Sequence, residues 1–285
     1  MRGFTLPKYK IFWYINSLCN YKCSYCIRKN QKGINNLIEP FLISRVCENL
    51  RGLNSEEYEF VISGGEPTLY PDLKGFIGYL HDEMPDSKIK ISTNGFRGSD
   101  YFRDFREFKD FLEVRVSIHL EYVSSNKQIL PLLITFQSFG FKYFADILYD
   151  RCRKDLMVEF VEKIRVNGLR GRVKLLEPKN QYFPEELELA AVLNRELGYT
   201  WEEIPVRNKK YCLTGSHKIE IDENGNYSVL CPHSDKNGNI YFLSPNKFRD
   251  SLFEIKKCPL PFCYCGRYLQ PIQSDNREEL IEKFF

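Results

Sequence analysis

The chain has 285 residues, with 41 Lys and Arg against 38 Asp and Glu for a net charge of +3, and it is 43% hydrophobic and 15% aromatic. So small a net charge gives no electrostatic reason to expect nucleic acid, the aromatic content excludes a disordered chain, and no stretch reaches the roughly 18 apolar residues of a membrane span. The N-terminal "MRGFTLPKYKIFWYI" has no long apolar run leading to a small-residue cleavage site, so a cytoplasmic location without membrane association is expected.

In chain order, "KYKIFWYIN" reads as a buried strand, and after a cysteine-bearing loop "EPFLISRVCENLRG" reads as a helix ended by Gly52. The alternation continues with "YEFVIS" as strand, "YPDLKGFIGYLHDEM" as helix, "KIKIS" as strand, "YFRDFREFKDF" as helix and "EVRVSI" as strand. Then come "NKQILPLLITFQSFG", a helix that Pro131 starts or kinks, "KYFADILY" as strand, "RKDLMVEFVEKIRVNG" as helix, "RVKLLE" as strand and "PEELELAAVLNRELG" as helix. Six β-α units in succession predict a parallel sheet with right-handed crossovers, either doubly wound or part of a (β/α) barrel. In both, function sits at the C-terminal strand ends. The pattern stops near Thr200, and a boundary near Val206 divides residues 1–205 from 206–285. Beyond it "HKIEIDENGNYSVLCP" reads as a hairpin turning at Asn224 and Gly225, and "SDNREELIEKFF" as a short final helix.

Thiols stay reduced in the cytosol, so clustered cysteines there point to metal or chemistry. Of the ten cysteines, Cys47 and Cys152 stand alone and read as buried small side chains on helices. Cys19, Cys23 and Cys26 form "CNYKCSYC" directly after the first strand, with no fourth cysteine nearby. Structural zinc and ferredoxin clusters want four ligands, and a site short of one ligand is an open, catalytic site. In "SGGEPTLYPD", Gly64 and Gly65 allow close backbone approach, and Glu66 at a strand end suits an ammonium. In "EVRVSIH", alternation puts Arg115, Ser117 and His119 on one face and Val114, Val116 and Ile118 on the other, a polar strand face that implies a pocket. His119 is expected to point into that pocket; Tyr149 and Glu177, at later strand ends, are candidates for substrate contact or proton transfer.

These residues resemble the radical S-adenosylmethionine (radical SAM) enzymes, whose signature is C-x₃-C-x₂-C with an aromatic residue before the last cysteine, here Tyr25. The resemblance implies that Cys19, Cys23 and Cys26 hold three irons of a [4Fe–4S] cluster while the open iron chelates SAM. An electron then cleaves SAM to methionine and a 5′-deoxyadenosyl radical, which abstracts hydrogen from substrate. It implies that Gly64, Gly65, Glu66 and Pro67 are the GGE-P element that contacts the methionine amino group. Ser92, Thr93 and Asn94 of "ISTNG" would lie near the ribose, with Ser117 at a further SAM contact. Residues 8 to 200 are then a partial (β/α)₆ TIM barrel, followed by a small cysteine-rich α+β extension. That extension resembles a twitch domain, the shorter relative of SPASM, which carries an auxiliary [4Fe–4S] cluster: Cys212 precedes the hairpin, Cys231 follows it and "CPLPFCYC" closes the site. The spacing departs from C-x₂-C, so which of Cys258, Cys263 and Cys265 ligate stays open, as does zinc in place of iron.

The reaction expected is hydrogen abstraction from a small-molecule substrate of sugar or nucleoside type, ending in dehydrogenation, epimerisation or rearrangement, with flavodoxin or ferredoxin as electron donor. The first strand starts at Lys8, which favours this over modification of a peptide or protein, the alternative. A nonenzymatic zinc or iron-sulfur module for nucleic acid is the reading from another class, and it would require basic stripes.

Overall fold

The computed structural model describes residues 8–26, 28, 33–53, 55–124, 127–176, 182–199, 211–213, 218–229, 237–252, 255–257, 273–274 and 276–278. The six units are β1 (Tyr9–Asn16) with α1 (Pro40–Arg51), β2 (Tyr58–Gly64) with α2 (Leu73–Glu83), β3 (Lys88–Thr93) with α3 (Gly98–Arg103), β4 (Leu112–Ile118) with α4 (Ile129–Phe139), β5 (Lys142–Leu148) with α5 (Lys154–Val166), and β6 (Gly171–Lys174) with α6 (Pro184–Glu196). All six strands are parallel and lie side by side in chain order. Helical crossovers of one hand produce this order. Among the described residues the sheet does not close, and the fold is the expected partial (β/α)₆ barrel.

Alternation in the strands decides what each face meets. In β1, Tyr9, Ile11, Trp13 and Ile15 are fully buried, and Trp13 meets Phe76 of α2 edge-on at 5.1 Å, so this face packs on the helices. Lys10, Phe12 and Tyr14 between them are half-buried on the inner face. β4 repeats the rule: Val114, Val116 and Ile118 are buried, and Arg115 and Ser117 share the inner face, as expected. Pro131 lies in the first turn of α4, where its missing N–H costs nothing, and Gly140 (φ 73°) ends that helix in the left-handed region.

Beyond the barrel come β7 (Tyr211–Leu213), β8 (Lys218–Ile221), β9 (Asn226–Val229), β10 (Asn237–Asn239), α7 (Pro245–Leu252), β11 (Ile255–Lys257) and β12 (Gln273–Ser274). The expected hairpin is β8 and β9, and β8 pairs parallel with β1, from Lys10↔Lys218 to Trp13↔Ile221. The nine-stranded sheet therefore runs β10-β9-β8-β1-β2-β3-β4-β5-β6, while β7 lies between β11 and β12 in a small antiparallel sheet. The final stretch is helical at residues 277 and 278, the rest of it lying outside the described residues. Among the described residues no helix is long and apolar enough to cross a membrane.

Two expectations are corrected. "YFRDFREFKDF" is not one helix: α3 stops at Arg103 and a 3₁₀ turn covers Arg106–Phe108. Phe102, Phe105, Phe108 and Phe111 recur every third residue, which matches a 3₁₀ turn better than the 3.6 of an α-helix. Their rings meet in sequence at 5.6, 6.1 and 5.3 Å, tilted, edge-on and tilted. Cys47 is buried in α1, but Cys152 is exposed, because it sits in the 3₁₀ turn Arg151–Arg153 before α5, with its N–H capped by Asp150.

Candidate active site

The cysteine loop leaves β1 at the C-terminal edge of the sheet, and the loops after β2, β3 and β4 each grip it. Asn16, fully buried at the end of β1, donates through Nδ2 to the Glu66 carbonyl at 2.9 Å, and its own carbonyl accepts the Gly65 N–H at 3.0 Å. The Leu18 carbonyl accepts the Glu66 N–H at 2.8 Å. This close approach explains both glycines: a Cβ on Gly64, whose φ is +149°, would stand 2.2 Å from the Asn16 carbonyl oxygen, and one on Gly65 2.1 Å from that of Leu18. The backbone they admit is that of the cysteine loop.

Glu66 is buried and carries four donors. Its Oε1 accepts from Thr68 N at 3.0 Å, Thr68 Oγ1 at 2.6 Å and Thr93 Oγ1 at 2.6 Å, and its Oε2 accepts from Asn94 N at 2.7 Å. Burial pushes the carboxyl pKa up, against the pull of these donors. Asn94 in turn donates through Nδ2 to Asn20 Oδ1 at 2.9 Å, inside the cysteine loop. Thr93 and Asn94 thus tie β3 to the neighbouring loops, while Ser92 and Ser117 lie half-buried on the inner face. Ser117 pairs in register with Asp146 of β5, which is buried and held by Arg172 at 2.7 Å.

The segment after β4 grips the cysteine loop from the other side. His119 Nδ1 stands 3.2 Å from Cys23 Sγ and 2.8 Å from the Tyr25 hydroxyl, with its ring parallel to Tyr25. Burial pushes the imidazole down to about 4, so it is neutral near pH 7. Tyr122 stacks on Tyr21 at 4.0 Å and accepts the Lys22 N–H at 2.8 Å, and Glu121 accepts both the N–H and the hydroxyl of Ser24. Asn16, Asn20, Tyr21, Glu121 and Tyr122 were not among the sequence candidates. A polar residue closing an apolar strand, and "HLEY" running on from a polar strand face, were the available signals.

The other candidates divide. Tyr149 is buried on the helix side with Ile147, edge-on to Tyr182 at 5.4 Å, and burial with the Glu186 carboxylate raises its phenol to about 12. It is not brought to the inner face beside Ser117 and His119. Glu177, Cys231, Cys258, Cys263 and Cys265 lie outside the described residues, as does the side chain of Cys212, whose backbone is in β7.

Cys19, Cys23 and Cys26 are free thiols on one loop. Burial pushes Cys23 up to about 12, and the neighbouring Glu121 and Cys19 charges add to it; Cys19 is raised chiefly by burial as well. A set of thiolates here therefore calls for a cationic centre to bind. Among the described residues no three His, Cys, Asp or Glu side chains converge on one metal ion. A [4Fe–4S] cluster takes soft thiolate donors, and Cys19, Cys23 and Cys26 are three of these on one loop, near enough that the Cys26 charge raises the thiol pKa of both Cys19 and Cys23.

Comparison with known proteins agrees. The model of the radical SAM superfamily matches residues 13–175, more than half the chain. A GTP 3',8-cyclase of Nautilia profundicola is 29% identical over 268 residues, covering 79% of this chain and 81% of that protein. An S-adenosylmethionine-dependent nucleotide dehydratase of a Fibrobacter species is 34% identical over 90 residues, 30% of this chain and 27% of the relative. The crystal structure of Streptococcus suis SuiB bound to S-adenosylmethionine superposes with a TM-score of 0.62 at 16% identity, over 88% of this chain and 67% of that one, a likeness of fold.

Proposed function

The chain belongs to the radical SAM superfamily, and on that premise we propose that this enzyme abstracts hydrogen from a small molecule of nucleoside type. As a member of the family it uses a [4Fe–4S] cluster and S-adenosylmethionine. Cys19, Cys23 and Cys26 are the residues proposed to hold the cluster, which when bound supplies the electron that cleaves SAM. The observation that carries the substrate class is the alignment with a GTP 3',8-cyclase over most of both chains.

The chain's own side chains support that reading. Arg172 on the inner face is fixed by Asp146 at 2.7 Å and by the Tyr199 hydroxyl at 2.8 Å, and it lies over the Phe144 ring. Lys174 ends β6, partly exposed. A guanidinium fixed beside aromatic rings, with a lysine near the same carboxylate, suits a base and its phosphates. Ser92, Ser117 and the backbone of Gly64 and Gly65 are proposed to orient SAM above them.

Residues 206–285 are proposed to carry an auxiliary cluster on Cys212, Cys231, Cys258 and either Cys263 or Cys265. Cys212 pairs with Lys256 in β11, which ends one residue before Cys258 in the sequence, and β9 ends two residues before Cys231. A low-potential protein such as flavodoxin or ferredoxin is proposed as electron donor in the cytoplasm.

The test is anaerobic reconstitution followed by reduction with SAM and either a nucleotide panel or a peptide library. About eight irons per chain are expected, on the Cys₄-type stoichiometry doubled. Alanine at Cys19, Cys23 and Cys26 together should remove about half the iron and all 5′-deoxyadenosine formation. Nucleotides should stimulate that formation; stimulation by peptides alone would replace the nucleoside reading with peptide modification.

A further inference from the structure

We propose that His119 is a positioning residue for the SAM-cleaving centre: it holds Cys23 and, when that sulfur ligates iron, donates its Nδ1–H to it, raising the reduction potential of the cluster. This rests on reading Cys19, Cys23 and Cys26 as cluster ligands, and it adds a role that the signature does not contain.

The ring is fixed from several directions. His119 follows β4, whose backbone is clamped between β3 and β5. Its ring lies parallel to Tyr25 at 5.9 Å with 4° between planes, and edge-on to Tyr21 at 5.7 Å. Nδ1 is 3.2 Å from Cys23 Sγ and 2.8 Å from the Tyr25 oxygen. The ring therefore addresses the sulfur through one defined atom.

An iron-bound thiolate carries no proton and only accepts. A bare imidazole lone pair at that distance would repel it, so binding selects the tautomer with hydrogen on Nδ1. The Tyr25 oxygen then shares that hydrogen as an acceptor and gives its own O–H to Cys23, a second donor that His119→Phe leaves in place. A hydrogen bond to a cluster sulfur withdraws negative charge, favours the reduced state and raises the potential.

The contact is part of a longer brace. Each loop residue from Tyr21 to Tyr25 meets the 119–122 segment: Tyr21 stacks on Tyr122, Lys22 N–H donates to the Tyr122 hydroxyl, Cys23 and Tyr25 meet His119, and Ser24 donates twice to Glu121. Cys23 is thus held to the segment after β4 as well as by its own loop.

The experiment is a redox titration of the reconstituted holoenzyme by electron paramagnetic resonance, read on the signal that disappears in the triple-alanine variant of Cys19, Cys23 and Cys26. His119→Phe keeps a ring on Tyr25 and removes the N–H; His119→Asn offers an amide nitrogen where Nδ1 stood. The midpoint of His119→Phe should move to more negative potential while that of His119→Asn stays with the wild type. An unchanged or more positive midpoint in His119→Phe, or equal shifts in both variants, overturns the proposal. Where the Phe variant does not load iron, the wild type decides: with ¹⁵N-labelled histidine, the reduced cluster should show a nitrogen hyperfine coupling through the hydrogen bond, and its absence overturns the proposal. If the triple-alanine variant keeps the wild-type signal, the ligand assignment itself fails and this inference falls with it; a lost signal with no His119 effect removes the inference alone.

Discussion

A carboxylate surrounded only by donors is intolerant of its own amide, and Glu66 is in that position. Glu66→Gln turns an NH₂ group toward Thr68, Thr93 or Asn94, all of which donate to the present oxygens. Turning an NH₂ group onto a backbone N–H and leaving a buried donor unmatched should cost about 1–3 kcal/mol in urea unfolding. A loss below about 0.5 kcal/mol would show that the carboxylate does not knit β2 to β3. At this scale the sequence was informative wherever chemistry lies in adjacent residues: the cysteine spacing, the Gly-Gly-Glu run and the alternation around Ser117. The brace was hidden because it joins residues 97 and 100 positions apart, as in Ser24 with Glu121 and Lys22 with Tyr122. Tyr149 shows what position along a strand leaves out: it follows the last residue of β5, but alternation carries its ring into the buried cluster with Ile147.

Strands and helices were legible where apolar period and caps agree. They were misread where an aromatic ladder of period three passed for a helix, at Phe102 to Phe111. The inner face of the sheet carries a charge ladder across strands, legible only in part because its members come from different segments. Lys8 and Lys10 of the first strand region reach Glu59 of β2 at 2.8 Å each, and Lys90 of β3 bridges Glu59 and Glu113 at 3.4 and 3.3 Å. Burial pushes the Glu59 carboxyl up, but hydrogen bonds from Lys10 and Lys8 and the charges of Lys10 and Lys90 outweigh it and hold it at about 2. A folded-state value below that of an unfolded glutamate contributes stability that is fully present above about pH 5 and is lost as pH falls toward 2. The contribution is on the order of 3 kcal/mol at most. Glu59→Gln should therefore lower stability at pH 7 and flatten the acid limb between about pH 5 and pH 2. Chemical unfolding at several pH values checks this, and parallel acid limbs in variant and wild type would remove Glu59 from the account.

At the scale of the whole molecule, the two cysteine sets invite a division at residues 205 and 206, yet the second part is built into the first. Ile219, Ile221, Tyr227, Val229, Ile240, Tyr241, Phe248 and Leu252 all belong to the same buried cluster as the barrel strands. β8 occupies the hydrogen-bonding edge of β1, and Tyr14 donates to Glu220 at 2.7 Å. On the other side α7 packs on α1, where the buried Asn49 amide donates to the Ile240 carbonyl at 2.9 Å. Removing these eight side chains uncovers apolar surface worth on the order of 10 kcal/mol or more, at about 1.5–3 kcal/mol each. The whole stability of a domain is about 5–15 kcal/mol, and the bared β1 edge would invite pairing with other chains. A chain ending at residue 205 should therefore aggregate or unfold without a cooperative transition, even though it keeps Cys19, Cys23 and Cys26. Expression of that fragment with a hydrophobic-dye assay and a melt decides the matter. A monomer that melts cooperatively would make the barrel self-sufficient, whereas its collapse would mean that the division proposed between the two parts is one of chemistry and not of folding.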